Sequence, residues 1–275
     1  MPDTPADPRL SATILLVRDA PGLQVFMAKR HHQIDFASGA LVFPGGKATD
    51  DDARTDWDSL LDGDLGALQT AAIAAVRETF EECGVLLSRE AGARGIGAPL
   101  VDAERVAALA PYRQKVDRGE ASFRDLMAEQ NLVLALDHLV HFAHWITPTF
   151  MPKRFDTHFF LAKLPPSQLA AHDGRETTDS LWISPTKALV KEAEGSATIL
   201  FPTRLNLEVL TDCPDSDRAI GLATDTEVVT VLPELTKDAD GKAMLTISEA
   251  SGYKTLSVPM SKERANATRG NRKSV

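Results

Sequence analysis

The chain has 275 residues, 43% of them hydrophobic and 25% charged, with a formal net charge of −9 and two cysteines. This is enough chain for one large domain with a real core, and the acidic balance argues against binding along a nucleic-acid backbone, which needs a cationic footprint. No apolar run approaches membrane-spanning length, the start Met1-Pro2-Asp3-Thr4-Pro5-Ala6-Asp7-Pro8 lacks the regions of a signal peptide, and the scarce cysteine fits a reducing cytoplasm.

Residues 12–17 and 23–29 read as strands joined by the turn Asp19-Ala20-Pro21-Gly22. After Lys29-Arg30-His31-His32 a loop leads to a short strand at 41–43. Residues 48–68, with Asp50-Asp51-Asp52 and Asp62-Gly63-Asp64, read as an acidic segment that wanders over the surface. A helix is predicted over 68–83, ended by Gly84, where a helix C-terminus favours a left-handed residue. Residues 102–116 and 122–130 read as two more helices, the second opened by Ser122 with Asp125 at capping spacing, so that 88–135 forms a helical elaboration.

Strands resume at 139–146, 157–163 and 180–183, followed by short helices from Pro185 and at 202–210. Residues 226–235 and 243–247, with Asp240-Gly241 between them, suggest a hairpin in a C-terminal extension over 213–260. The polar, basic tail from Ser261 is expected to be disordered and ends Arg272-Lys273-Ser274-Val275, unlike a peroxisomal address.

The helix at 68–83 carries the chemistry. At about 100° per residue, Ile73, Val76, Phe80 and Cys83 fall on one side. Glu78, Glu81 and Glu82 fall on the other, with Arg77 at the edge of their arc, one turn before Glu81. Such like-charged pairs cost roughly 0.2–0.5 kcal/mol each, and a face built only for solubility would interleave lysines. A divalent cation turns that repulsion into coordination. Glu78 and Glu82, one turn apart, are the expected first ligands.

The run Arg77-Glu78-Thr79-Phe80-Glu81-Glu82-Cys83-Gly84-Val85, preceded by Phe43-Pro44-Gly45-Gly46, resembles the signature of the Nudix hydrolases. The resemblance covers roughly residues 10–212 and implies an α/β fold: a Nudix-type α/β/α sandwich with a mixed sheet, here with a helical insertion. Two departures are plain. Residues 48–68 look like an insertion inside the motif, and the position eight before Arg77 is Gln69 where the family has Glu. An inserted motif of this kind is similar to that of a subgroup including coenzyme A diphosphatases.

The resemblance also implies Mg2+, with Mn2+ as the alternative, bound by Glu78, Glu82 and Glu81. Glu81 would be the third ligand or would handle the attacking water, and Arg77 would orient it. A further acidic residue is expected from a later loop, where Glu176 is the choice within His172-Asp173-Gly174-Arg175-Glu176. Gly45 and Gly46 either bring backbone amides to a substrate phosphate or only make a tight turn. Arg30 at a strand end can contact phosphate. Arg30, Gly39 and Phe43-Pro44-Gly45-Gly46 fit a coenzyme A motif, but Asp35 stands where it has a second Arg and Ala28 where it has Thr. Arg154 can bind substrate or form a structural ion pair with Asp156. His138, His141 and His144 recur every third residue, yet the strand alternation of Val140, Phe142, His144 and Ile146 sets His141 and His144 on opposite faces, which speaks against zinc.

The function expected is a pyrophosphohydrolase acting on a nucleoside diphosphate linked to another group, coenzyme A or acyl-coenzyme A ahead of a nucleotide sugar. The other class left open is a Nudix module that senses a nucleotide without catalysis. The partner is then a small molecule, not nucleic acid or membrane, and the C-terminal hairpin could be a lid or the arm of a homodimer.

Overall fold

Ala12, Ile14 and Leu16 point into one core and Leu15 and Val17 into another, so the first strand is buried on both faces. The computed structural model describes residues 6–30, 40–95, 97–171 and 177–260. Asp35, Gly39, Glu176 and the tail 261–275 lie outside the described residues, as does the side chain of Arg30.

Strands β1 (Arg9–Asp19) and β2 (Leu23–Arg30) pair through Val17↔Val25, Arg18↔Gln24 and Asp19↔Leu23, and then part. Beyond the parting, β3 (Leu41–Val42) pairs with β2 and β4 (Gly45–Lys47) with β1, with Phe43-Pro44 between them. Next come β5 (Leu61–Asp62), α1 (Gln69–Cys83), β6 (Ser88–Glu90), α2 (Ala103–Asp117), α3 (Phe123–Glu129) and β7 (Leu132–Ala135). The second half holds β8 (Val140–Ile146), β9 (Phe155–Lys163), β10 (Thr177–Ile183), α4 (Pro185–Ala193), α5 (Phe201–Leu210) and α6 (Ser216–Asp225). It ends with β11 (Thr230–Val231), β12 (Glu234–Lys237), β13 (Ala243–Thr246) and β14 (Ser257–Pro259).

The main sheet runs β10-β2-β1-β9-β8-β11, with β3 and β4 attached beside it. It is mixed: β1 and β9 are parallel, as are β8 and β11, while β2, β8 and β10 pair antiparallel. Helices α1, α2 and α3 share the core on one face; α4, α5, α6 and the C-terminal strands share the other. The architecture is the expected α/β/α sandwich. Among the described residues no helix is long and apolar enough to cross a membrane.

Three local readings change. The segment at 48–68 does not wander over the surface: Trp57 is fully buried and Asp52 is 1% exposed. Its β5 pairs parallel with β7, which pairs antiparallel with β6, so the insertion and the elaboration share a small three-stranded sheet. Arg89, fully buried, closes that unit on Asp137 (2.7 and 2.8 Å) and Asp62 (2.6 Å). A Cβ on Gly63 would lie 2.6 Å from the Asp137 nitrogen, so the Asp-Gly pair is packed rather than loose. At the C-terminus, β12 and β13 form the hairpin and β14 extends it, while β11 leaves the expected hairpin to join the main sheet beside β8. Helix α6 lies at the start of the extension, before the hairpin, where no element was predicted.

Candidate active site

Helix α1 ends at Gly84 (φ 67), whose N–H donates to the Phe80 carbonyl at 3.0 Å. Arg113 of α2 donates to the Glu81 carbonyl at 2.6 Å, placing a cation at the negative end of the helix. The last turns of α1 are thereby tied to α2; they also lie against β4, and the expected acidic group assembles there.

A Cβ on Gly46 would stand 2.4–2.6 Å from the Glu78 carboxylate, and the Gly45 N–H donates to Glu82 Oε2 at 3.0 Å. The glycine pair thus lets β4 lie directly under Glu78 and Glu82. A Cβ on Gly45 would meet backbone instead, 2.3 Å from the Ala12 carbonyl oxygen.

Arg77 is 5% exposed and spends all its donors on nearby acceptors. Nη1 donates to both Glu81 carboxylate oxygens and to Glu78 Oε1, each at 3.0 Å. Nη2 donates to the Lys47 carbonyl at 2.7 Å and to Asp52 Oδ2 at 3.0 Å, and Nε donates to Asp52 Oδ1 at 2.9 Å. Burial opposes this charge, but Glu78, Asp52 and Glu81 raise the guanidinium above its ordinary pKa. Glu81 is 7% exposed rather than on an open face, and burial pushes its carboxyl up to about 8 despite Arg77, with Glu78 adding to the rise.

Asp52 is the residue that sequence reasoning missed. It belongs to the insertion, 25 positions before its partner, and also accepts from the Thr49 N–H (2.8 Å) and hydroxyl (3.0 Å). Its signal was the run Asp50-Asp51-Asp52, read as solvated.

The structure brings together Gly45, Gly46, Arg77, Glu78, Glu81 and Glu82. Arg154 stands elsewhere, donating to the carbonyls of Thr147 (2.9 Å) and Ala6 (2.8 Å), and Asp156 pairs with His144 rather than with Arg154. Arg30 ends β2 opposite Thr177, and Ala28 is buried in the same strand. The donor set fits a hard divalent ion: three carboxylates at one helix end, one over a glycine that leaves it room.

The profile of the NUDT19 Nudix domain matches residues 62–205, more than half of the chain. The acyl-coenzyme A diphosphatase NUDT19 of Xenopus laevis is 28% identical, over 60% of this chain and 54% of that protein. Its counterpart from Gallus gallus is 28% identical, over 66% of this chain and 62% of that protein. The chain thus spans little more than half the length of these curated relatives. Among solved structures, a NUDIX hydrolase from Alicyclobacillus acidocaldarius is 25% identical with a TM-score of 0.63, covering 78% of this chain and 96% of that one. With the matched profile, the acidic turn of α1 and the sandwich around it, the chain belongs to the Nudix family, in the group of the NUDT19 Nudix domain.

Proposed function

We propose that this protein is a divalent-cation-dependent pyrophosphohydrolase that cleaves the diphosphate of a coenzyme A derivative, acyl-coenzyme A included. The observation that carries the reading is the gathering of Glu78, Glu81 and Glu82 at the end of α1, over a glycine strand that leaves no room for a side chain. The relatives named acyl-coenzyme A diphosphatase support the substrate class.

Glu78 and Glu82 would hold the cation, Mg2+ by the hardness of the donors. Bound there, a divalent ion neutralises diphosphate charge and polarises a phosphoryl oxygen. Arg77 fixes the Glu81 carboxylate, and Asp52 fixes Arg77. Glu81 is either the third donor or the group that takes a proton from the attacking water; Glu81→Gln separates the two by losing cation affinity or losing turnover alone. Gly45 and Gly46 line the approach of the diphosphate, with Arg30 as a candidate phosphate contact and Glu176, just before β10, as a further acidic group.

The test is product release over a panel of diphosphates with Mg2+ and with Mn2+. Acyl-coenzyme A should yield adenosine 3′,5′-bisphosphate and the acyl-phosphopantetheine half, and Glu82→Gln should abolish release. Nucleotide sugars cleaved instead would move the substrate class. A wild type as inert as Glu82→Gln, with a nucleotide still raising the melting temperature, would make the protein a sensor.

A further inference from the structure

The register across the main sheet sets one row of residues on the face that carries α1. Ala12 of β1 pairs with Gly46 on one side and His158 on the other; His158 pairs with His144, and His144 with Thr230. At roughly 4.8 Å between strands, His158 stands about 10 Å along the sheet from Gly46.

The alternation read from sequence separates His141 from His144, but β8 does not alternate through this stretch. Its pairing with β9 shifts by one position between His141 and Ala143, a bulge at Phe142. The extra residue resets the faces. His141 lies opposite Phe160 and His144 opposite His158, and those two partners share one face of β9.

Five polar side chains meet as a result. The rings of His144 and His158 stack with centroids 4.0 Å apart. His144 Nε2 contacts Asp156 Oδ1, and His158 Nε2 lies 4.0 Å from the same oxygen. The other ring nitrogens are engaged: His144 Nδ1 with Thr230 Oγ1 at 2.8 Å, and His158 Nδ1 with His141 Nε2 at 3.1 Å. Each of His144, Asp156 and His158 offers a ligand atom within 4.8 Å of the others, and an ion bound there would displace the proton between His144 Nε2 and Asp156, leaving each Nδ1 to donate to its outer partner.

We propose that His144, Asp156 and His158 hold a divalent transition-metal ion, with His141 and Thr230 fixing the two imidazole rings. Two imidazoles and one carboxylate suit zinc or a similar first-row ion, with coordination positions left for solvent or an anion. The Thr230 hydroxyl and the His141 ring can each accept the Nδ1 proton, taking the place of the carboxylate, carbonyl or water that fixes the tautomer of most ligating histidines. The helix carboxylates, all oxygen, take the harder cation, so the same sheet face carries two sites of different chemistry.

The test is a Co2+ titration of the untagged full chain in excess Mg2+, which occupies the helix carboxylates, read by calorimetry and by visible absorption of imidazole-bound cobalt. One equivalent should bind with an absorption band, and Zn2+ should displace it. Asp156→Asn, nearly isosteric, and the double variant His144→Ala/His158→Ala should remove the band. His141→Phe should weaken binding about ten- to a hundredfold, and Glu78→Gln should leave the band in place. Absence of heat and band in the wild type overturns the proposal without reference to any variant. So does a band that survives in the double variant, since it places the ion elsewhere.

Discussion

A methyl group added at Gly46 and one added at Gly45 meet different obstacles. At Gly46 the obstacle is the end of a flexible side chain, Glu78, 2.4 Å away; at Gly45 it is the backbone of β1, 2.3 Å away. Gly46→Ala should therefore fold and melt near the wild type while its cation affinity falls by roughly tenfold or more, about 1.4 kcal/mol, because Glu78 must swing out. Gly45→Ala should instead lose about 1–3 kcal/mol of stability through overpacking between β4 and β1. Urea denaturation beside Mg2+ calorimetry checks both, and equal loss of stability in the two variants would refute the distinction.

Glu81 gives a pH prediction at the same scale. In the metal-free chain its folded pKa, pushed up to about 8, exceeds the ordinary glutamate value of about 4.3. The folded state therefore binds a proton that the unfolded chain has released. The stability this group contributes is complete below about pH 4, declines as pH rises, and is gone above about pH 8. In chelator, the urea midpoint of the wild type should fall across that window relative to Glu81→Gln. The same midpoint in both proteins at every pH would count against a protonated Glu81.

At the scale of elements, the insertion works as a bracket between α1 and α3. Trp57 packs against Phe123 at 6.0 Å and donates its indole N–H to the Asp51 carbonyl at 2.8 Å. The Asp51 carboxylate accepts from the Ser122 hydroxyl (2.7 Å) and the Arg124 N–H (3.2 Å) at the start of α3. Next in the chain, Asp52 holds Arg77. Trp57→Ala should destabilise the protein by about 3–5 kcal/mol and, by loosening Asp52, weaken cation binding in the molecules that remain folded. Asp52→Asn should weaken cation binding with a smaller change in stability, and a double-mutant cycle with Arg77→Met should return a coupling of about 1–3 kcal/mol.

The same elements explain what could be read from sequence. Helix α1, its glycine cap and its cluster of glutamates are set by contacts three and four residues apart, so periodicity exposes them. Asp52 takes its meaning from a partner 25 positions away, and nothing local separates a buried aspartate from its exposed neighbours. Strand β4 is Gly45-Gly46-Lys47, against strand propensity and made a strand by its fit to β1 and α1. The bulge at Phe142 has no composition signature, and one inserted residue reversed the faces assigned to the histidines. The apolar run Leu132-Val133-Leu134-Ala135, buried throughout, was the missed signal for the small sheet.

For the whole molecule, the main sheet divides two cores, and the C-terminal strands belong to the core away from α1. Leu245, Ile247, Val258 and Met260 are buried there, and the Tyr253 hydroxyl donates to Asn206 at 2.6 Å while accepting from the Trp145 indole at 3.1 Å. Strands β12, β13 and β14 pack on the face opposite the acidic turn, away from the glutamates, and so do not form a lid over them. Four buried apolar side chains at about 1.5–3 kcal/mol each rival the whole net stability of a domain, about 5–15 kcal/mol. A chain ending at Asp225 should therefore show no cooperative unfolding transition. Tyr253→Phe should keep the fold, lose about 1–2 kcal/mol, and bind cation at α1 as the wild type does, since its lost hydrogen bonds lie across the sheet. A truncated chain that still melts cooperatively, with unchanged Mg2+ affinity, would make the extension an appendage rather than half of the second core.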